Sequence, residues 1–142
     1  MDFKDYYEFA NANPVCYLAT TEGDQPRVRA MEMWYADETG FYFQTQIVKA
    51  IYTQVVNNPK VEVYFRNPES REVMRVHGLV KVANDPSIRA RCIKERPFVK
   101  DFGITKAGDP RLAIFQIYTG EAYFWTQADS MKEADLPRIK FG

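Results

Sequence analysis

Arg27 and Arg29 stand two residues apart, so in a strand both guanidinium groups leave the same face. Two such cations repel unless water or an anion lies between them. Thr45 ends an aromatic run at the point where a helical pattern begins, and as its N-cap it would leave the backbone N–H groups of Gln46 to Val48 free. Lys49 follows four residues after Thr45 and would bring a formal charge to the same turn. Together these groups could hold a phosphate monoester. A plain helix cap beside a solvated lysine would use the same residue types. Other chemistry has little to build on. His77 is the only histidine, which removes a multi-histidine metal cluster and leaves no nucleophile–histidine motif. Glu32, Glu69 and Glu72 have no spacing that suggests paired acid–base work, so a structural His77 and solvated carboxylates are expected.

The elements that must carry these residues follow from periodicity. Asp2 to Ala10 places Phe3, Tyr6, Tyr7 and Ala10 on one helical face, ending near Asn13-Pro14. Strands are expected at Val15–Thr20, Arg27–Tyr35 and Phe41–Thr45, separated by the turn residues 21–26 and 37–40. Val48, Ile51, Tyr52, Val55 and Val56 then fit a helix that Asn57-Asn58-Pro59 stops. Lys60–Arg66 alternates, and Glu72–Ala83 reads as a long strand whose Gly78 marks a bulge or a close approach. Asp85-Pro86 opens another helix, limited by Pro97. Phe98–Pro110 is the least regular stretch, and the charges at 94–96 read as surface. Leu112–Tyr118 and Glu121–Thr126 are expected as a hairpin about Thr119-Gly120, before a polar tail without pattern. Six or seven antiparallel strands with helical connections suggest a small closed or partly closed barrel.

Composition narrows the function classes. The 142 residues suit one domain, and 46% hydrophobic with 27% charged is ordinary for a globular chain. Nineteen Lys+Arg balance nineteen Asp+Glu, which argues against nucleic acid as the partner. No apolar run is long enough to span a bilayer. Cys16 and Cys92 share no metal-ligand spacing and suit buried thiols. The first residues lack the basic and apolar regions of a signal peptide, so a cytoplasmic setting is expected.

The run RVRAMEMWYADETGFYFQTQIVKAIYTQVVNNPKVEVYF, followed by REVMRVHGLVKVAND and RLAIFQIYTGEAYFWT, resembles the pyridoxamine 5′-phosphate oxidase-like family of FMN-binding split β-barrels. The resemblance covers roughly residues 13–126. It implies a mainly β, six- to seven-stranded antiparallel split barrel: one domain over 1–142 with an N-terminal helix at 2–11 and a short tail at 127–142. It implies that Arg27, Val28 and Arg29 line the isoalloxazine and ribityl chain, and that Gln44 and Thr45 meet the pyrimidine edge. Gln44, Gln46 or Arg29 would stabilise the reduced flavin, and Lys49 would bind the phosphate with Arg27 or Arg29. The same resemblance implies a homodimer with FMN between the subunits, where Glu72 and Trp125 are candidates for contacts made across to the partner's flavin. Trp34 and Trp125 are also candidates for packing on the ring. Glu32 stands where the phosphate oxidases themselves carry a basic residue, and their active-site Arg and His are not recognisable in the tail. The implied function is an FMN-dependent oxidoreductase with an undetermined small-molecule substrate. The alternatives are a non-catalytic flavin-binding or sensor protein, or a relative that takes haem or a deazaflavin.

Overall fold

Asp2 begins the first helix by accepting from the Lys4 N–H at 3.1 Å, while Asp5 accepts from the Asp2 N–H at 2.9 Å. This reciprocal cap fixes α1 (Phe3–Ala12), whose Tyr6 and Ala10 are buried. In a computed structural model of residues 1–142, eight strands form one antiparallel sheet. They are β1 (Val15–Glu22), β2 (Gln25–Glu32), β3 (Tyr35–Asp37), β4 (Gly40–Gln46), β5 (Lys60–Arg66), β6 (Val73–Val82), β7 (Leu112–Trp125) and β8 (Ile139–Phe141). The order is β2-β1-β5-β6-β7-β4-β3, with β8 added on β7. The sheet curls around its core without closing, leaving β2 and β3 as its edges. Two further helices are α2 (Ala50–Asn57) and α3 (Pro86–Glu95), and α3 runs into a 3-10 helix at Pro97–Phe102.

The strand count exceeds the six or seven expected because one strand divides and the tail supplies another. The long strand expected over Arg27–Tyr35 breaks after Glu32, where the Trp34 N–H donates to the Tyr42 carbonyl at 3.0 Å and β3 starts. The polar tail contributes β8, paired to Gly120–Ala122. The hairpin expected at Thr119-Gly120 is one continuous strand. Gly120 lies opposite Gly78, and a Cβ on either would stand 2.0–2.2 Å from a carbonyl oxygen of the facing strand. Glycine here marks close approach rather than a turn. The register shift falls beside this pair, leaving Tyr118 as a bulge in β7. Asp85 caps α3 by accepting from the Ser87 N–H at 3.2 Å, with Pro86 at the first helical position as expected.

Two apolar clusters hold the sheet. The larger one is built from Phe41, Phe43, Phe65, Phe115, Leu18 and Met74, and α1 and α2 lie against it. Full burial of each large side chain contributes about 1.5–3 kcal/mol. The smaller one joins Tyr42, Leu112 and Ile114 of the sheet to Trp34, Cys92, Val99 and Ile104. This second cluster presses the segment from α3 through Phe102 against β4, and so gives the cleft described next its second wall. No helix is long and apolar enough to cross a membrane.

Candidate functional site

Residues from β2, β4, the start of α2 and the end of α3 meet around a cavity of about 260 Å³. Arg29, Met31 and Glu32 come from β2, Gln44 and Thr45 from β4, and Lys49 and Ile51 from the α2 entry. Arg96 and Phe98 close the far side. A second cavity of about 130 Å³ adjoins it, sharing Gln44, Thr45, Lys49 and Phe98 and adding Gln46 and Phe102. Three cations and one carboxylate line the larger cavity, so it favours an anion.

The turn into α2 differs from the expected one. Thr45 stays extended because it pairs with Ala113 of β7, and the ladder continues to Gln46–Leu112. The Ile47 N–H still donates to the Arg111 carbonyl, at 2.9 Å. The cap position therefore falls on Lys49, which makes no side-chain cap bond, and the helix begins at Ala50. The free N–H groups are those of Ala50 and Ile51, which donate to no protein acceptor. With Lys49 at this end, the positive pole of α2 faces the cleft.

Two residues that line the cavity each have a buried side-chain oxygen without a partner: Gln44 Oε1 and Thr45 Oγ1. A buried polar atom left unpaired costs about 1–3 kcal/mol, so a donor reaching either oxygen would be stabilised. Arg29 is held firmly. Its Nη1 donates to Thr20 Oγ1 at 2.8 Å and to the Leu18 carbonyl at 3.2 Å, and its Nη2 donates to Gln54 Oε1 at 2.5 Å. Burial lowers its pKa, which an arriving anion would reverse.

The other sequence candidates lie apart from the cavities. Arg27 shares the β2 face of Arg29, as its spacing implied, but its Nη2 pairs with Glu22 Oε1 at 2.9 Å beyond the cavity lining. That bond is the main reason the Glu22 carboxyl is held below its ordinary value. Val28 points outward and is 71% exposed. Glu72 and Trp125 sit together at the far end of the β6–β7 ladder, where Trp125 pairs with Val73. Trp125 Nε1 is buried there without an acceptor. Trp34 is buried in the smaller cluster and donates from Nε1 to Glu95 Oε1 at 3.1 Å, which makes it a packing residue.

The structure adds residues that the sequence reading passed over. Arg96 is not a surface charge: its side chain is only 11% exposed and its Nε is buried without a partner. Its guanidinium lies 4.9 Å from the centre of the Phe98 ring. Phe98 and Phe102 belong to the segment without regular pattern, and each is about half exposed beside the cleft. Gln54 is 5% exposed on an otherwise apolar helix face. An amide among Ile51 and Val55 was the available signal for it.

An open antiparallel sheet, with a helix start and an amide-and-aromatic cleft set against its edge, defines the class as a small, mainly β protein. The model of the pyridoxamine 5′-phosphate oxidase family matches residues 4–126, and the chain belongs to that family. Solved structures agree in fold. A NimC/NimA family protein from Clostridium acetobutylicum is 25% identical, with 97% of this chain and 92% of that one covered and a TM-score of 0.79. General Stress Protein 26 from Bacillus anthracis is 17% identical, with 99% and 100% covered and a TM-score of 0.75. A pyridoxamine 5′-phosphate oxidase-related, FMN binding protein from Nostoc punctiforme is 13% identical, with 98% and 95% covered and a TM-score of 0.65. No curated protein matches the sequence.

Proposed function

We propose that the chain binds FMN in this cleft and acts as a flavin-dependent oxidoreductase on a small-molecule substrate. One observation carries the reading. Arg29, Lys49 and Ile51, whose backbone N–H is free, line one cavity with Gln44 and Thr45, each of which has a buried side-chain oxygen without a partner. The charged end suits a phosphate, and the Gln44 amide suits the pyrimidine edge, which both donates and accepts. Bound FMN would supply the electron chemistry, as cofactors of this kind do.

The residues of the chain would bind and orient. Lys49 and Arg29 hold the phosphate by charge-assisted bonds, and the α2 N-terminus adds its dipole. Gln44 and Thr45 fix the ring edge, and Gln46 lies close enough to join them. Phe98 and Phe102 cover the cleft from the α3 side and keep water from it.

The larger cavity, about 260 Å³, is just below the usual range of ligand pockets, which starts at about 300 Å³. A second copy of the chain would complete the site, which supports a homodimer with the flavin between subunits. Trp125 Nε1, buried without an acceptor, is then a donor that each chain offers to the other's ligand. Two free, buried thiols agree with a cytoplasmic setting.

Titration of the full chain with FMN and with riboflavin tests this. Flavin absorbance near ~450 nm in the purified protein, and tighter binding of FMN than of riboflavin, are the expected results. A colourless protein that binds neither ligand rejects the reading. A deazaflavin or haem added in the same titration tests the alternatives, and binding of FMN without turnover with any electron donor favours a non-catalytic role.

A further inference from the structure

Gln54 stands out on α2 because it buries an amide where the helix otherwise presents Ile51 and Val55 to the core. Its Oε1 accepts from two donors, the Thr20 hydroxyl at 2.6 Å and Arg29 Nη2 at 2.5 Å. Thr20 Oγ1, itself buried, accepts from Arg29 Nη1 at 2.8 Å and closes a three-membered ring of hydrogen bonds. On its other side Gln54 Nε2 donates to Glu22 Oε2 at 3.3 Å. The amide thus ties the helix whose N-terminus faces the cleft to the hairpin whose arginine enters it.

We propose that Gln54 is a positioning residue for anion binding, fixing the guanidinium of Arg29 relative to the start of α2. The proposal rests on the reading above, in which a phosphate meets Arg29 and Lys49. Arg29 has five N–H donors, of which three are spent on Leu18, Thr20 and Gln54. The other two are left for a ligand, in a direction the ring of bonds sets. A guanidinium ordered beforehand loses little rotamer freedom when the anion arrives, and this preorganisation appears as affinity. Gln54 acts through Arg29 and does not itself line the cavity.

The test compares dissociation constants for FMN and riboflavin, read by quenching of flavin fluorescence on the full chain freed of flavin. In Gln54→Leu, affinity for FMN should fall about tenfold, while that for riboflavin changes less than about twofold. In an Arg29→Ala background the same substitution should leave the FMN-to-riboflavin ratio unchanged. Gln54→Glu keeps an acceptor in place but sets a negative charge against Arg29. It also removes the donor to Glu22, so the fold is checked by thermal melting, and in the folded variant FMN should be weakened selectively. Equal losses for both ligands in Gln54→Leu overturn the proposal, because a merely structural amide would act on both. Unchanged FMN affinity in folded Gln54→Glu overturns it as well. An unsubstituted chain that does not prefer FMN to riboflavin instead removes the phosphate reading, and this proposal with it.

Discussion

Arg96 reaches across the mouth of the cleft to Glu32. Its Nη2 donates to the Glu32 carbonyl at 3.1 Å, and its Nη1 stands 3.9 Å from the Glu32 carboxylate. The arginine is deep and the glutamate is 60% exposed, so the carboxylate partly offsets a cation that solvent hardly reaches. Removing that carboxylate should make the mouth more receptive to anions. In flavin-loaded Glu32→Gln, benzoate should bind about threefold more tightly while benzamide is unchanged, as a partly exposed charge pair predicts. Perturbation of the flavin spectrum reads both. An equal change for the two probes would show that Glu32 does not act by charge.

Lys49 is the cation nearest the free N–H groups of α2. Lys49→Ala should weaken FMN about tenfold or more, with a much smaller change for riboflavin, because a charge-assisted contact is lost. The difference should shrink as salt is raised. Fluorescence titration at two ionic strengths measures it, and equal losses for both ligands would assign Lys49 to the surface.

Gly78 and Gly120 face each other where two backbones meet. An alanine at Gly78 would set its Cβ 2.2 Å from the Thr119 oxygen, and one at Gly120 would set it 2.0 Å from the His77 oxygen. Both replacements require backbone to shift. Each should cost about 1–3 kcal/mol or prevent folding, and thermal denaturation decides it. A melting temperature within a degree or so of the unsubstituted chain would contradict the close approach.

Burial pushes the Cys16 thiol up to about 12 and the Cys92 thiol up to about 11 from an ordinary 9.0. Neither should react with a thiol reagent at pH 8 in the native state, and both should react after unfolding. The raised values also contribute to the alkaline limb of stability, beside the tyrosines Tyr6, Tyr35 and Tyr123, which burial raises as well. Below the unfolded thiol pKa both states hold the proton, and the contribution is complete. As pH rises from about 9 towards 11 and 12, only the unfolded chain loses protons, so stability falls. Denaturant melts of Cys16→Ala and the unsubstituted chain across that range should converge as pH rises.

The elements whose signals are local were legible in the sequence. The α1 face of Phe3, Tyr6 and Ala10 needs only helical spacing, and Asp85-Pro86 announces α3 by cap chemistry. Arg29 and Lys49, singled out by type and spacing, line the same cavity. Features decided by pairing were not. Thr45 carries both strand and cap character, and only the β7 partner Ala113 settles it as a strand. Thr119-Gly120 has turn composition, and only Gly78 opposite explains its extended form. Arg96, among charges, gives no local sign that Val99 and Ile104 pin the following segment into the smaller cluster and draw it inward.

The bulge at Tyr118 reverses the phase of β7. Before it the odd residues Phe115 and Ile117 face the larger cluster, whereas after it the even residues Ala122 and Phe124 do. A strand without the extra residue would turn Glu121 and Tyr123 into the barrel and expel Ala122 and Phe124 to its outside. The Arg75–Glu133 ion pair, the hydrogen bond from the Tyr123 hydroxyl to Glu133 and the stacking of Arg75 on the Tyr123 ring all depend on that single inserted residue. Deleting one position in β7 would therefore invert half a strand, a larger disturbance than any single substitution in the cleft.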